Sequence, residues 1–182
     1  MPSTALTELK TRLADVDELI LAHTFVTGGG AGRPARRQGA AITRAGVVLL
    51  AAAMEAFVED LFVESGELIF VAVPPADRQK LYDQTSKKLN NADTLKTNIL
   101  YFNLGCPWIL GGIKWKKFSN NTFVSSLNKL VENRNQIAHG KRPNVTLPQL
   151  RRWKTMLEGY APRLESAVAT HIEKMTGAKP AW

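Results

Sequence analysis

The segment Asn133-Arg134-Asn135-Gln136-Ile137-Ala138-His139-Gly140 carries a guanidinium and an imidazole with four residues between them. Both groups suit work on a phosphodiester. An imidazole titrates near neutral pH, with an ordinary pKa of about 6.5, so it can take a proton from a hydroxyl and return one to a leaving oxygen. A guanidinium stays charged and offers parallel N–H donors that match two phosphate oxygens. RNA supplies its own nucleophile, the ribose 2′-hydroxyl. Such a pair has the groups that RNA cleavage without a metal or cofactor would need, a route that would leave a 2′,3′-cyclic phosphate and a 5′-hydroxyl. The other histidines, His23 and His171, have no comparable neighbours and read as structural or solvated. No metal-ligand cluster stands out. Cys106 is the lone cysteine, which excludes an intrachain disulfide and a cysteine-rich zinc site; it reads as a packed thiol.

Composition fits a folded, basic chain. Of 182 residues, 45% are hydrophobic and 22% charged, enough apolar surface to offset chain entropy and exclude a wholly disordered protein. Lys and Arg number 24 against 16 Asp and Glu, a formal charge of +8. That excess favours a polyanion as partner. The basic residues most useful to RNA flank the Arg–His segment: Lys141 and Arg142 follow it, Arg151 opens the next helix, and Lys116 and Lys117 precede it beside Trp115 and Phe118. Trp153 falls on an apolar stripe and reads as core. The longest apolar run, around Ala45 to Met54, falls short of the ~20 residues a bilayer needs. The first residues do not pattern as a secretion signal. A cytoplasmic protein with no membrane partner is expected.

The elements that must position these groups read as helices. Leu6, Leu9, Leu13, Val16 and Ile20 recur at spacings of three and four, capped by Ser3 or Thr4, and predict a helix to about Val26. Gly28 to Gly32 reads as a connector. A long helix is expected from about Ala40 to Phe70, apolar nearly all round at Ala45 to Ala53 and so central in a bundle. Glu55 lies in that apolar zone, where a carboxylate needs a cationic or hydrogen-bonding partner. Residues 77–103 predict two short helices and residues 105–119 an irregular stretch. Phe123, Leu127, Leu130 and Val131 predict a helix that Gly140 and Pro143 end. A final helix starts near Thr146 and Pro148 and is expected to bend at Pro162. No strand or repeat is evident. The expected fold is all-α: an antiparallel bundle of four main helices with one or two short helices in the middle.

The Arg-x4-His segment, with polar Asn135 directly after the arginine, resembles the signature of the HEPN superfamily. The stretch Ala52-Ala53-Met54-Glu55-Ala56-Phe57-Val58-Glu59 is similar to the second-helix pattern of its ribonuclease-like branch, of the RiboL-PSP-HEPN or the MAE_28990 type. The resemblance covers the layout from roughly Ala5 to Lys174 and implies one domain over residues 1–176. Residues 75–119 would be an insertion and 177–182 a frayed tail. It also implies an endoribonuclease, often a toxin or antiviral-defence effector, acting as a homodimer. A neutralising protein of nucleotidyltransferase type is a further implied partner.

Spacing alone does not bring the pair together. Five residues rotate about 140° around a straight helix, so Arg134 and His139 do not share a face. Either the helix end departs from ideal geometry at Gly140, or two copies of the segment meet across a two-fold axis. Glu55 is expected to orient Arg134, and Asn135 to support the pair or contact RNA. A plainer reading stands beside these. Arg134 would form a structural ion pair with Glu132 or Glu55, His139 would suit the negative end of a helix, and Asn135 would be solvated. On that reading the chain is a non-catalytic module that binds RNA, nucleotide or protein.

Overall fold

A computed structural model of the chain describes residues 1–28, 33–86, 91–116 and 118–182. Among these residues it is all helical, as expected, with no strand. Six helices follow one another: α1 (Thr4–Val26), α2 (Arg33–Ile69), α3 (Pro75–Ser86), α4 (Thr94–Phe102), α5 (Asn120–Ala138) and α6 (Leu147–Thr176). Four are long, and α3 and α4 are the short pair. Among the described residues no helix is long and apolar enough to cross a membrane.

Caps set the ends of the long helices. The hydroxyls of Ser3, Ser119 and Thr146 accept from the backbone N–H groups of Leu6, Thr122 and Gln149, which satisfies donors that the first helical turn leaves free. The buried stripe of α1 is the one the spacing predicts: Leu6, Leu9, Leu13, Val16 and Ile20.

α1 and α2 form an antiparallel hairpin. The backbone N–H of Ala5 reaches Glu64, Arg12 pairs with Asp60 at 3.0 Å, and His23 packs on Gly39. α6 lies along α2 and advances with it, Leu150 against Gly46 and Tyr160 edge-on to Phe57. α5 crosses the same layer, where Phe123 stacks on Tyr160 at 4.9 Å between ring centres. α4 docks through Tyr101, fully buried, whose hydroxyl donates to the carbonyl of Val58.

Two expectations change. α2 begins at Arg33 rather than Ala40. Pro34 sits in its first turn, where a missing N–H costs nothing, and Gly39 is a helical residue under the His23 ring rather than a breaker. A β-carbon there would collide with the imidazole. α2 is central but not covered all round: Val48 and Leu49 remain 37% and 40% exposed, because α1, α5 and α6 leave that side open. Residues 177–182 carry no helix, yet Trp182 is half-buried against the core. Most of the glycine connector, residues 29–32, and the break at residues 87–90 lie outside the described residues. Pro162 sits within α6, whose helical span continues to Thr176.

Candidate active site

α5 sets out the Arg–His segment. Phe123, Leu127, Leu130, Val131 and Asn133 bury one face of the helix, and Arg134 emerges at its edge toward α2. The Arg134 side chain is 31% exposed, and its Nη2 lies 3.8 Å from Oε2 of Glu55, itself 20% exposed. Nη1 donates to the amide oxygens of Asn91 at 3.1 Å and Asn135 at 3.2 Å. Two neutral amides therefore orient one edge of the guanidinium. The carboxylate balances its charge from beyond hydrogen-bond distance. The Nη2 and Nε donors have no hydrogen bond among the described residues, which leaves an edge suited to two oxygens of one anion.

Asn91 was not among the residues that sequence reasoning singled out for the site. It is placed by the start of α4. The carboxylate of Asp93 caps that helix, accepting from Lys96 N–H at 2.8 Å. Thr94 donates through its N–H and its hydroxyl to Oδ1 of Asn128 on α5. The chain before α4 is thereby pinned along α5, and Asn91 reaches Arg134.

Glu59, one turn beyond Glu55, completes an acidic edge on α2. Burial, then the neighbouring charges of Glu55 and Asp60, push its carboxyl above the ordinary carboxylate range.

His139 closes α5. Its backbone is fixed: His139 N–H donates to Asn135, Gly140 N–H to Ile137 and Lys141 N–H to Gln136. With Gly140 at φ +75°, this is the left-handed Schellman termination that the glycine predicts. The imidazole itself is exposed and makes no hydrogen bond among the described residues. Within one chain no hydrogen bond joins it to Arg134, whose side chain turns toward α2.

The basic residues divide. Lys141 and Arg142 are exposed on the extended segment after Gly140, and Arg151 and Lys116 are exposed too. Lys117 lies outside the described residues. Lys154, on the same helix as Arg151, is neutralised by Asp17 at 3.1 Å and by Glu158. Trp115 and Phe118 are not free platforms. They pair through backbone hydrogen bonds of 2.9 and 2.8 Å, Phe118 is buried, and the Trp115 indole packs against Gly159 and Phe123. Trp153 is core. Trp108 is an open aromatic, as are Phe25 and Phe102 elsewhere on the surface; it is 71% exposed with φ +57°.

The remaining histidines serve packing. His23 is buried on Gly39, and Nε2 of His171 lies 2.9 Å from the Leu104 carbonyl. Burial pushes the Cys106 thiol up, away from the reactive thiolate.

A family model described as RiboL-PSP-HEPN matches residues 11–170 of the chain. No curated protein and no solved structure matches it.

Proposed function

The chain belongs to the RiboL-PSP-HEPN family, and from that premise we propose that it is an endoribonuclease whose acting groups are Arg134 and His139. The family suggests an RNase-like or RNA-binding function. One observation carries the finer reading: a half-buried arginine, oriented by Asn91 and Asn135 with an edge left open, lies shortly before a histidine that is solvent-open and makes no hydrogen bond among the described residues.

In the proposed reaction the imidazole of His139 takes the proton of a ribose 2′-hydroxyl. The 2′-oxygen attacks the adjacent phosphorus, and Arg134 holds the phosphoryl oxygens as negative charge builds on them. The P–O5′ bond breaks, and an imidazolium gives its proton to the departing 5′-oxygen. The 2′,3′-cyclic phosphate and 5′-hydroxyl account for every atom. No metal or cofactor enters this route. Asn135 and Glu55 are positioning residues, and Lys141, Arg142, Arg151 and Lys116 track phosphates.

A homodimer fits the reading. A straight helix would set Arg134 and His139 about 140° apart, and no hydrogen bond joins them within one chain, which favours a phosphodiester shared by groups from two chains. Ala45, Val48, Leu49 and Ala52 form an exposed apolar stripe on α2 that runs toward Glu55, a surface a second copy would cover beside the site. A role as toxin or antiviral-defence effector, held in check by a nucleotidyltransferase-type protein, follows from the family in this proposal.

The test is cleavage of single-stranded RNA in EDTA by the parent, Arg134→Ala and His139→Ala. Loss of about 10²–10⁴-fold in each variant is expected, with cyclic phosphate ends on the parent's products. Equal behaviour of all three, with RNA binding retained, would favour the second reading. That reading is a binding module in which Glu55 takes up the charge of Arg134 as a structural pair.

A further inference from the structure

Between the first half of α5 and the first turns of α6 runs a groove that the reaction above does not use. It holds about 710 Å³, walled by Thr122, Ser125 and Lys129 on one side and Gln149 and Arg152 on the other, with buried Trp153 along it. A second hollow of about 480 Å³ adjoins it. Pro148 and Arg152 border both, and Arg151 and Phe118 lie on the far side. No carboxylate lines either hollow among the described residues.

We propose that this trough is an RNA exosite, a surface that holds the single strand flanking the scissile phosphodiester. It rests on the reading of the chain as an RNA-handling protein. Three features favour a strand over a small anion or a protein.

The first is charge. Among the described residues neither Arg151 nor Arg152 pairs with a carboxylate, whereas Lys154 on the same helix is neutralised twice. The Arg152 guanidinium is held over the Phe118 ring at 5.8 Å, which fixes it at the junction of the two hollows. The second is shape. Two open hollows in series, lined by hydroxyls, amides and cations beside Pro148, Trp153 and Phe118, suit a run of phosphates, sugars and bases. One enclosed pocket would suit a mononucleotide, and an apolar groove would suit a protein helix.

The third is register. Ser125, Lys129, Glu132, Gln136 and His139 follow one another at steps of four and three, so they share a face of α5. That row carries the trough some 20 Å along the helix to the imidazole. One carboxylate interrupts it. Glu132 bonds to Lys129 at 2.8 Å and to Gln136 at 3.0 Å. It therefore occupies the one lysine on the row and opposes an incoming phosphate.

The test uses the full chain carrying His139→Ala, so that RNA is held without being cut. A labelled oligouridylate long enough to span ~20 Å is titrated by fluorescence anisotropy at several salt concentrations, with uridine monophosphate and inorganic phosphate as short probes. Arg151→Ala with Arg152→Ala is expected to weaken the oligonucleotide by about tenfold or more, and to flatten its salt dependence by ~0.7 for each phosphate no longer neutralised. The short probes should hardly change. Glu132→Gln, an exposed substitution that leaves the fold alone, is expected to tighten the oligonucleotide by freeing Lys129. Arg151→Lys with Arg152→Lys should restore most of the charge-driven affinity.

Oligonucleotide affinity within twofold of the parent in the arginine and Glu132 variants overturns the exosite. An equal loss for the short probes also overturns it, in favour of a small-anion pocket, as does failure of the oligonucleotide to bind at all. Cleavage by the chain with native His139, measured alongside, separates the two proposals. Trough-dependent binding without cleavage sinks the nuclease and keeps the trough as the RNA-binding surface. Cleavage with trough-independent binding does the reverse.

Discussion

Mixing two inactive variants distinguishes a site shared between chains from one contained in a single chain. Arg134→Ala and His139→Ala each remove one acting group of the proposed reaction. On α5 these positions lie about 140° apart around the axis and about 7.5 Å apart along it. In one chain Arg134 turns to Glu55 on α2 while His139 caps the helix end. A common phosphodiester is then expected to meet Arg134 of one protomer and His139 of its partner. Random reassortment of equal amounts makes half the dimers mixed. Each mixed dimer has one site with both groups intact and one with neither. Cleavage therefore returns to about a quarter of the parent rate, from two proteins that are each inactive. The assay is the initial rate of cleavage of a labelled RNA in EDTA, with mixed dimers verified by two affinity tags. Rates that stay at background while tagged mixed dimers are present would refute the shared site. So would a chain that sediments as a monomer and still cuts.

Gly140→Ala is expected to cost about 1–2 kcal/mol, because an alanine at φ +75° meets no neighbour within 4 Å and suffers only the left-handed backbone. Melting should fall by roughly 2–4 °C per kcal/mol for a chain this size, and Gly140→Asn should lose less; equal loss in both would contradict the Schellman end. Gly39→Ala forces a methyl into the His23 ring and should destabilise by about 1–3 kcal/mol, read as a lower urea midpoint at unchanged slope. Glu59→Gln carries a pH signature. The raised carboxyl pKa means that ionisation opposes folding at any pH above it, and that the opposition vanishes once both states are protonated. The variant should therefore melt higher than the parent at neutral pH and equally below the ordinary value of 4.5; one constant shift across that range would show that charge is not the cause.

What the sequence discloses is governed by range. Helices α1, α5 and α6 are legible because their signals are local: a hydroxyl cap, apolar residues at three and four, a terminal glycine. The start of α2 is not, since Pro34 and Gly39 are breakers by type and become helical through position and through contact with His23 on another helix. The same divide runs through the candidate site. A carboxylate in an apolar zone must find a cation, which marks Glu55 from its neighbours alone. The Asn91 amide reaches Arg134 across 43 positions, and nothing local to either residue announces it. Lys154 looks like any exposed lysine until folding sets Asp17 beside it. Trp115 and Phe118 look like open aromatics until α6 and Phe123 close over them.

The choice of groups around Arg134 bears on how it would meet a phosphate. A carboxylate at bonding distance would orient the guanidinium but cancel its charge and fill the donors an anion needs. Neutral amides orient without cancelling. Asn91 and Asn135 both bond to Nη1, at 3.1 and 3.2 Å, so one nitrogen takes the whole structural duty. Glu55 stays 3.8 Å from Nη2, close enough to lower the cost of half-burying a cation and too far to occupy its N–H groups. On the proposed reading an arriving phosphate would compete with Glu55 for charge, not for hydrogen bonds. The Nη2–Nε edge would donate to two of its oxygens while the Asn91–Asn135 side holds still. Arginine used only to tie α5 to α2 would have no need of that division. A direct bond from Glu55 would be shorter and simpler.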